Sequence, residues 1–395
     1  MNQQWPEPAY AAALAALPEM TLGRLSALIR HHSPSSAFRI AAGQQAPLPV
    51  GAATQSAAVQ RVRHSWKQHA TDDFVDRCWQ RVQALGLRVL VYGAPHYPTA
   101  LLADKQAPPV LFAKGDLSLL NGRRAALVGT RNATSSGRSI AFRFGAELSA
   151  NGVHIVSGLA RGIDGCAHRG VMSQLGFNAD GAHALRQPQS GTDVPFGRPI
   201  AVVGSGHDVV YPREHASLWS MVAEHGLLLT EAPPGTPPIG YRFPLRNRLI
   251  AALSEVVVVV ESREWGGSLI TATEAGERGI PVMAVPGSAA SRAAIGTTAL
   301  LREGASIAGE PLDVLTLLDL EHRHLWNPAP DHRIRPRGGD LVVFQACLKQ
   351  PQTIESVMLG CSLSLVNSAM SLARLEQAGW LTQYDGWFES LGNAQ

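Results

Sequence analysis

"FPLRNRLIAALSEVVVVVES", residues 243–262, joins a cation-rich opening to five consecutive valines. β-Branched side chains favour the extended backbone, and a run that is apolar at every position is a strand covered on both faces. Val256 to Val260 are therefore read as a buried strand of a parallel sheet. Phe243, Pro244, Arg246, Asn247 and Arg248 stand just upstream of it. Positive charge delivered so close to a sheet core points to an anion docked near one end of the strands.

The same signature recurs along the chain. "RAALVG" (124–129), "VHIVSG" (153–158), "PIAVVG" (199–204), "GLLLT" (226–230) and "PVMAVPG" (281–287) are short and almost uniformly apolar, with helical stretches between them. "GLRVLVYG" (86–93) alternates as a strand does and opens this region. Strand, turn and helix in repetition give an α/β fold, a doubly wound, Rossmann-like sheet, over residues 83–320. Residues 1–82 read as a small helical domain, since "YAAALAALPEMTLGRLSALIR" (10–30) has helical apolar spacing interrupted at Pro18. Residues 174–199 are rich in Gly, Pro, Asn and Gln and read as an exposed, mobile insertion. A proline-bearing linker at 321–339 leads to residues 340–395, where three helical segments and a hairpin turn at Asp385-Gly386 predict a C-terminal winged helix.

Composition narrows the class. The chain has 395 residues, 45% hydrophobic and 16% charged, enough for a large core and too apolar for wholesale disorder. No stretch approaches the roughly 20 apolar residues of a membrane span, and "MNQQWPEPAY" lacks the regions of a secretory signal. Four scattered cysteines without CxxC spacing, and fourteen histidines without metal spacing, fit a cytoplasmic protein with no metal site. The net charge of +3 does not by itself announce a nucleic-acid binder. Placement of the cations has to carry that argument.

Ligands of an open parallel sheet bind outside the carboxyl ends of its strands, so each following loop is read for chemistry. "VGTRNATSSGRS" (128–139) turns tightly at Gly129, projects Arg131, and offers Ser135-Ser136 as a helix start whose N–H groups attract an anion. In "SGLARGIDGCAHRG" (157–170), Gly158 and Gly162 allow close backbone approach and Asp164 caps a helix, while Arg161 either meets phosphate or braces the fold. Ser157, Asp164 and His168 have the residue types of a hydrolytic triad. Asp164 and His168 nevertheless lie i,i+4 on one helix, the spacing of a local polar pair, and no GxSxG elbow is present. "GSGHDVVYPREH" (204–215) reads as structural. "TEAPPGTPPIGYRFPLRNR" (230–248) is stiffened by prolines and brings Tyr241, Arg242, Phe243, Arg246, Asn247 and Arg248 to the ligand edge. An aromatic among guanidinium groups suits an unpaired polynucleotide, whose bases stack on rings while arginines follow its phosphates. The alternative keeps Phe243 in the core and pairs the arginines with Glu231 and Glu261. "ESREWGGSLITATEAG" (261–276) sets Gly266, Gly267 and Ser268 before a helix, an anion nest, with Thr271 one turn further. There is no GxGxxG and no GK[ST], so no nicotinamide or ATP cofactor is expected. With no acidic metal cluster either, the loops predict holding a strand rather than cutting it.

These stretches carry a resemblance. "VGTRNATSSG", "VSGLARGIDGCAHRG", "FPLRNRLIAALS", "ESREWGGSLITATEAGERGIPVMAVPG" and the "YP" of "VVYPRE" are similar to the DNA-processing protein A (DprA/Smf) family over residues 86–290. The resemblance implies an extended Rossmann domain that binds single-stranded DNA and hands it to a RecA-type recombinase in natural transformation. It also implies no catalytic activity, dimerisation through this domain, and a helical, SAM-like N-terminal domain. By position it assigns Arg131, Phe243, Arg246, Asn247 and Arg248 to the DNA pocket. Gly129, Thr130, Ser157, Gly158, Gly267, Ser268 and Thr271 fall where phosphate would be met. Two departures stand out: the 174–199 insertion is long, and "LPEMTLG" resembles a helix-hairpin-helix start with Glu19 in place of a glycine.

Two rival readings are set against this one. A Rossmann-like nucleotide phosphoribohydrolase would carry a PGGxGTxxE loop. Here Leu269 replaces a required glycine, and Glu274 falls one position late, about 100° around a helix. A winged-helix transcription regulator would read duplex DNA, yet "SLVNSAMSLARLEQAG" (364–379) offers only Arg374 as a cation.

Overall fold

The structure, a computed structural model, describes residues 5–45, 57–177, 195–288, 291–321, 333, 335–384 and 386–391. Most of the expected insertion (178–194), most of the linker (322–332 and 334) and Asp385 of the expected hairpin turn lie outside the described residues.

Five α-helices come first among the described residues: α1 (Glu7–Ala16), α2 (Leu22–Ile29), α3 (Pro34–Ala41), α4 (Ala57–His69) and α5 (Asp72–Ala84). Thr21, Ser33 and Thr71 start α2, α3 and α5 by accepting a backbone N–H three residues on. Their apolar faces share one core, with Leu14, Phe38, Val62 and Val75 packed among Val91, Val110 and Phe112 of the first two strands. Glu19 takes φ 56°. The hairpin before α2 thus adopts the left-handed backbone that favours glycine even though a glutamate occupies the position.

Nine strands build the main sheet among the described residues: β1 (Arg88–Val91), β2 (Val110–Gly115), β3 (Arg124–Val128), β4 (His154–Ser157), β5 (Pro199–Val202), β6 (Leu227–Thr230), β7 (Val256–Val259), β8 (Val282–Ala284) and β9 (Ser306–Ile307). Their order is β1-β2-β6-β5-β4-β3-β7-β8-β9. All pairings from β6 to β9 are parallel. β2 runs antiparallel to both β1 and β6, so the sheet is mixed at that edge, where the sequence reading had neither β2 nor an antiparallel step. β2 follows Pro108-Pro109 and ends in Lys114-Gly115, which shortens its apolar signal to four residues.

Helices cover both faces. They are α6 (Thr99–Leu102), α7 (Ser135–Ala150), α8 (Ile163–Gln174), α9 (Ala216–His225), α10 (Arg242–Ala252), α11 (Gly267–Gly276), α12 (Ile295–Arg302) and α13 (Pro311–Leu317). Ala126, Val128, Val257 and Val259 face α10 and α11, whereas Ala125, Leu127, Val256 and Val258 face α7, α8 and α13. The period-2 side-chain alternation of a strand divides one apolar run between two cores. Burial of each such valine is worth about 1.5–3 kcal/mol, which is why the run of valines anchors the centre of the sheet. The chain winds outward from β3 to β6, then returns to β7 beside β3. That reversal is the switch point where an open α/β sheet parts its loops.

Beyond residue 337 lie α14 (Gly338–Lys349), β10 (Gln352–Thr353), α15 (Ile354–Cys361), α16 (Leu365–Gln377), β11 (Leu381–Tyr384) and β12 (Trp387–Ser390). The strands form a separate antiparallel sheet ordered β10-β12-β11. Val343, Phe344, Val357, Leu372 and Trp380 make its core. No single helix among the described residues is long and apolar enough to cross a membrane.

Candidate nucleic-acid interface

A groove of about 620 Å³ opens at the switch point. The loop after β3 gives it Gly129, Thr130, Arg131 and Asn132, and the β4 loop gives Ala160 and Asp164. α10 contributes Phe243, Arg246 and Asn247, and the β7 loop brings Arg263, Trp265, Gly266, Gly267, Ser268 and Thr271. Nine of the residues singled out in the sequence therefore share one groove. Ser157, Gly158, Arg161 and Arg248 do not line it.

The arginines divide by exposure. Arg131 is exposed, and its guanidinium carbon lies 5.0 Å from the centroid of the Phe243 ring. Arg246 is 6% exposed. Its Nη1 donates to the carbonyl of Gly158 at 2.7 Å and to that of Val202, so it ties together the ends of β4 and β5. Burial pushes the guanidinium down to about 10, while the nearby Asp164 carboxylate opposes the shift. Arg248 is 2% exposed and belongs to another network, donating to Glu231 and, at 2.8 Å, to the carbonyl of Gln106. Contrary to the expectation from sequence, Phe243, Arg246 and Arg248 do not project together. Residues 242–252 form a helix rather than a loop, and positions two apart on a helix point about 200° apart. Arg161 is exposed and bonds Glu214 at 2.9 Å, outside the groove. Phe243 is half-buried between two roles: Arg131 lies over it and the Tyr211 ring centroid is 5.3 Å away.

Three turns were expected to receive anions, and two already hold one from the chain itself. Glu261 occupies the N-terminus of α7: its carboxylate accepts the Thr134 backbone N–H at 3.0 Å and the Thr134 hydroxyl. A side chain at Gly137 would collide with that carboxylate, at 2.2 Å from its carbon. Asp164 fills the β4 turn, accepting from the Gly158 N–H at 3.1 Å. Burial raises the Asp164 carboxyl above the ordinary range against the pull of Arg246. A Cβ at Gly158 would stand 2.3 Å from Nη1 of Arg246, so glycine is required by the buried guanidinium rather than by a ligand. The Ser157 hydroxyl is spent on the Leu127 carbonyl at 2.6 Å.

The third turn is open. α11 starts at Gly266 with no side-chain cap, and a Cβ at Gly267 would meet nothing within 4 Å. Asn247 donates to the Gly267 carbonyl at 3.0 Å, and the Ser268 hydroxyl donates to Ser262 at 2.9 Å, so both serve to hold this turn. Thr271 is buried on the groove wall, and the Thr130 hydroxyl accepts from the Asn132 N–H at 3.3 Å. Trp265 and Asn132 line the groove without having been singled out in the sequence as binding residues; a lone tryptophan or asparagine in a loop gives no periodic signal. Glu274, the carboxylate of the phosphoribohydrolase rival, bonds Arg278 at 2.5 Å and lies outside the groove. No cluster of His, Cys, Asp and Glu able to hold a metal occurs among the described residues.

Fold and groove together define a doubly wound α/β protein with an open helix N-terminus and two exposed guanidinium groups, those of Arg131 and Arg263, in one groove at the sheet's switch point. Residues 88–319 match the family model for DNA recombination-mediator protein A. The chain belongs to that family, known as DprA or Smf. It is 39% identical over 230 residues to DNA processing protein DprA of Bacillus subtilis (strain 168), covering 58% of this chain and 70% of the relative. Against protein Smf of Escherichia coli (strain K12) the identity is 33% over 306 residues, covering 75% and 76%. The X-ray structure of DNA processing protein A from Streptococcus pneumoniae is similar with a TM-score of 0.62 at 28% identity, covering 80% of this chain and 98% of that one.

Proposed function

We propose that the switch-point groove binds single-stranded DNA with little sequence preference, and that the protein passes the strand to a RecA-type recombinase during DNA uptake. The observation that carries the reading is the pairing of Arg131, exposed and steadied over Phe243, with the uncapped start of α11 in one groove. Backbone N–H groups and a guanidinium grip phosphate without reading bases. Gly267 keeps the wall low, Gly129 lets the β3 turn pack against Ile163 and the Glu261 carbonyl, Ser268 holds the turn before α11, and Thr130 and Thr271 supply hydroxyls alongside. Arg246, Ser157 and Gly158 act by holding the ends of β3, β4 and β5 in place, and Arg248 by tying Glu231 to the Gln106 carbonyl.

The protein is proposed to act without catalysis, in the cytoplasm, as a homodimer. Membership of the recombination-mediator family supports the recombinase partner. Residues 340–395 are proposed to form a winged helix on the strength of three helices and a three-stranded antiparallel sheet. Its α16 presents Arg374 already bonded to Asp340 at 2.6 Å, which disfavours duplex reading by this unit. A gel shift comparing single and double strands, with wild type and Arg131→Ala, tests the proposal. Preference for the single strand, reduced by the substitution, supports it; equal binding of duplex by both proteins overturns it.

A further inference from the structure

We infer that Trp265 is a base-stacking platform at the lip of the groove, an inference that rests on the single-strand reading above and adds to it the part of DNA that the phosphate contacts do not touch. Trp265 is 90% exposed, the most exposed of the large apolar side chains among the described residues. An indole held in water at the edge of a groove is an unsatisfied apolar surface, and tryptophan is among the residues that gain most when covered.

The loop beneath it is firmly built. Ser262 is fully buried, its carbonyl accepts the Gly296 N–H at 2.8 Å, and its hydroxyl receives that of Ser268 at 2.9 Å. The Gly266 N–H closes the turn onto the Arg263 carbonyl at 3.1 Å. A Cβ at Gly266 would lie 2.2 Å from the Ser262 hydroxyl, so only glycine lets the turn close this tightly. The turn is fixed at its root while its tip, Trp265, has no aromatic or cation partner within contact among the described residues. The other two rings that line the groove, Phe243 and Tyr211, already pack against each other, and Arg131 lies over Phe243. Stacking on a base is the occupant the chemistry favours, because the same turn ends at the open start of α11. A strand whose phosphate meets Gly267 has its neighbouring base beside residue 265.

The test compares dT20 with a strand of the same length and charge made of abasic residues, bound by the full chain and followed by fluorescence anisotropy. Wild type is expected to bind dT20 at least tenfold tighter than the abasic strand. Trp265→Ala is expected to lose about tenfold on dT20, to keep its affinity for the abasic strand, and so to erase the discrimination. Trp265→Phe restores most of it. If Trp265→Ala keeps the wild-type ratio while both proteins bind DNA, the platform is wrong and single-strand binding stands. If the same variant instead shifts the sedimentation coefficient, Trp265 belongs to a protein interface and the platform is likewise wrong. If wild type binds neither strand, the single-strand reading fails and takes the platform with it.

Discussion

Arg131 and Arg246 both line the groove, one in solvent and the other beneath its floor. The distinction predicts different consequences for the same substitution. Arg131→Ala removes a cation that no described hydrogen bond or ion pair holds. Single-strand binding is expected to weaken by about 1–3 kcal/mol, the scale of a charge-assisted contact, with an unchanged thermal midpoint. Arg246→Ala strips donors from two buried carbonyls and leaves Asp164 without its nearby cation. A stability loss of about 3 kcal/mol is expected in urea unfolding, and any change in DNA affinity follows from the damaged floor. Equal stability of the two variants would show that Arg246 does not brace the strand ends.

At the scale of elements, the turn after β3 and the start of α11 differ in one respect: the first is neutralised internally by Glu261, the second is not. Glu261→Ala should therefore lower stability by about 1–2 kcal/mol through the loss of the carboxylate that anchors Thr134, the N-cap of α7, read as a depressed melting midpoint. An unchanged midpoint would remove Glu261 from that role. Much of this element map is visible in the sequence. The uniformly apolar strands announce themselves because both of their faces are buried, and Val256–Val259 falls where the valine run places it. β2 escapes because its burial is bracketed by prolines and a Lys-Gly end, and β9 because its two residues are both exposed. The glycines of the loops are legible as close approaches, but not what approaches them. For Gly158 and Gly137 it is Arg246 and Glu261, residues about 90 and 120 positions away. Sequence spacing cannot tell a ligand's anion from the chain's own carboxylate. Nor could it separate Arg246 from Arg248 until the segment was known to be helical.

Across the whole molecule, burial leaves several histidines neutral. His168 is fully buried, and burial, with His215, Arg169 and Arg246 nearby, pushes it down to about 3. Burial likewise lowers His154 and His207 to about 4. The unfolded chain takes up these protons near pH 6.5 and the folded chain does not. The stability they support is therefore complete above pH 6.5 and declines as pH falls toward 4, by up to about 1.4 kcal/mol per pH unit for each histidine. Urea midpoints at pH 7 and pH 5 check this, and His168→Leu should flatten the decline; a midpoint independent of pH over that range would contradict it.

The central claim is that a guanidinium and an open helix start at the switch point hold the backbone of an unpaired strand. Its most direct test is the slope of log affinity against log salt for dT20, measured on wild type and Arg131→Ala. For single strands each neutralised phosphate contributes about 0.7 to that slope. The account predicts a steep wild-type dependence that becomes shallower by about 0.7 in the variant; identical slopes and affinities for the two proteins would contradict it.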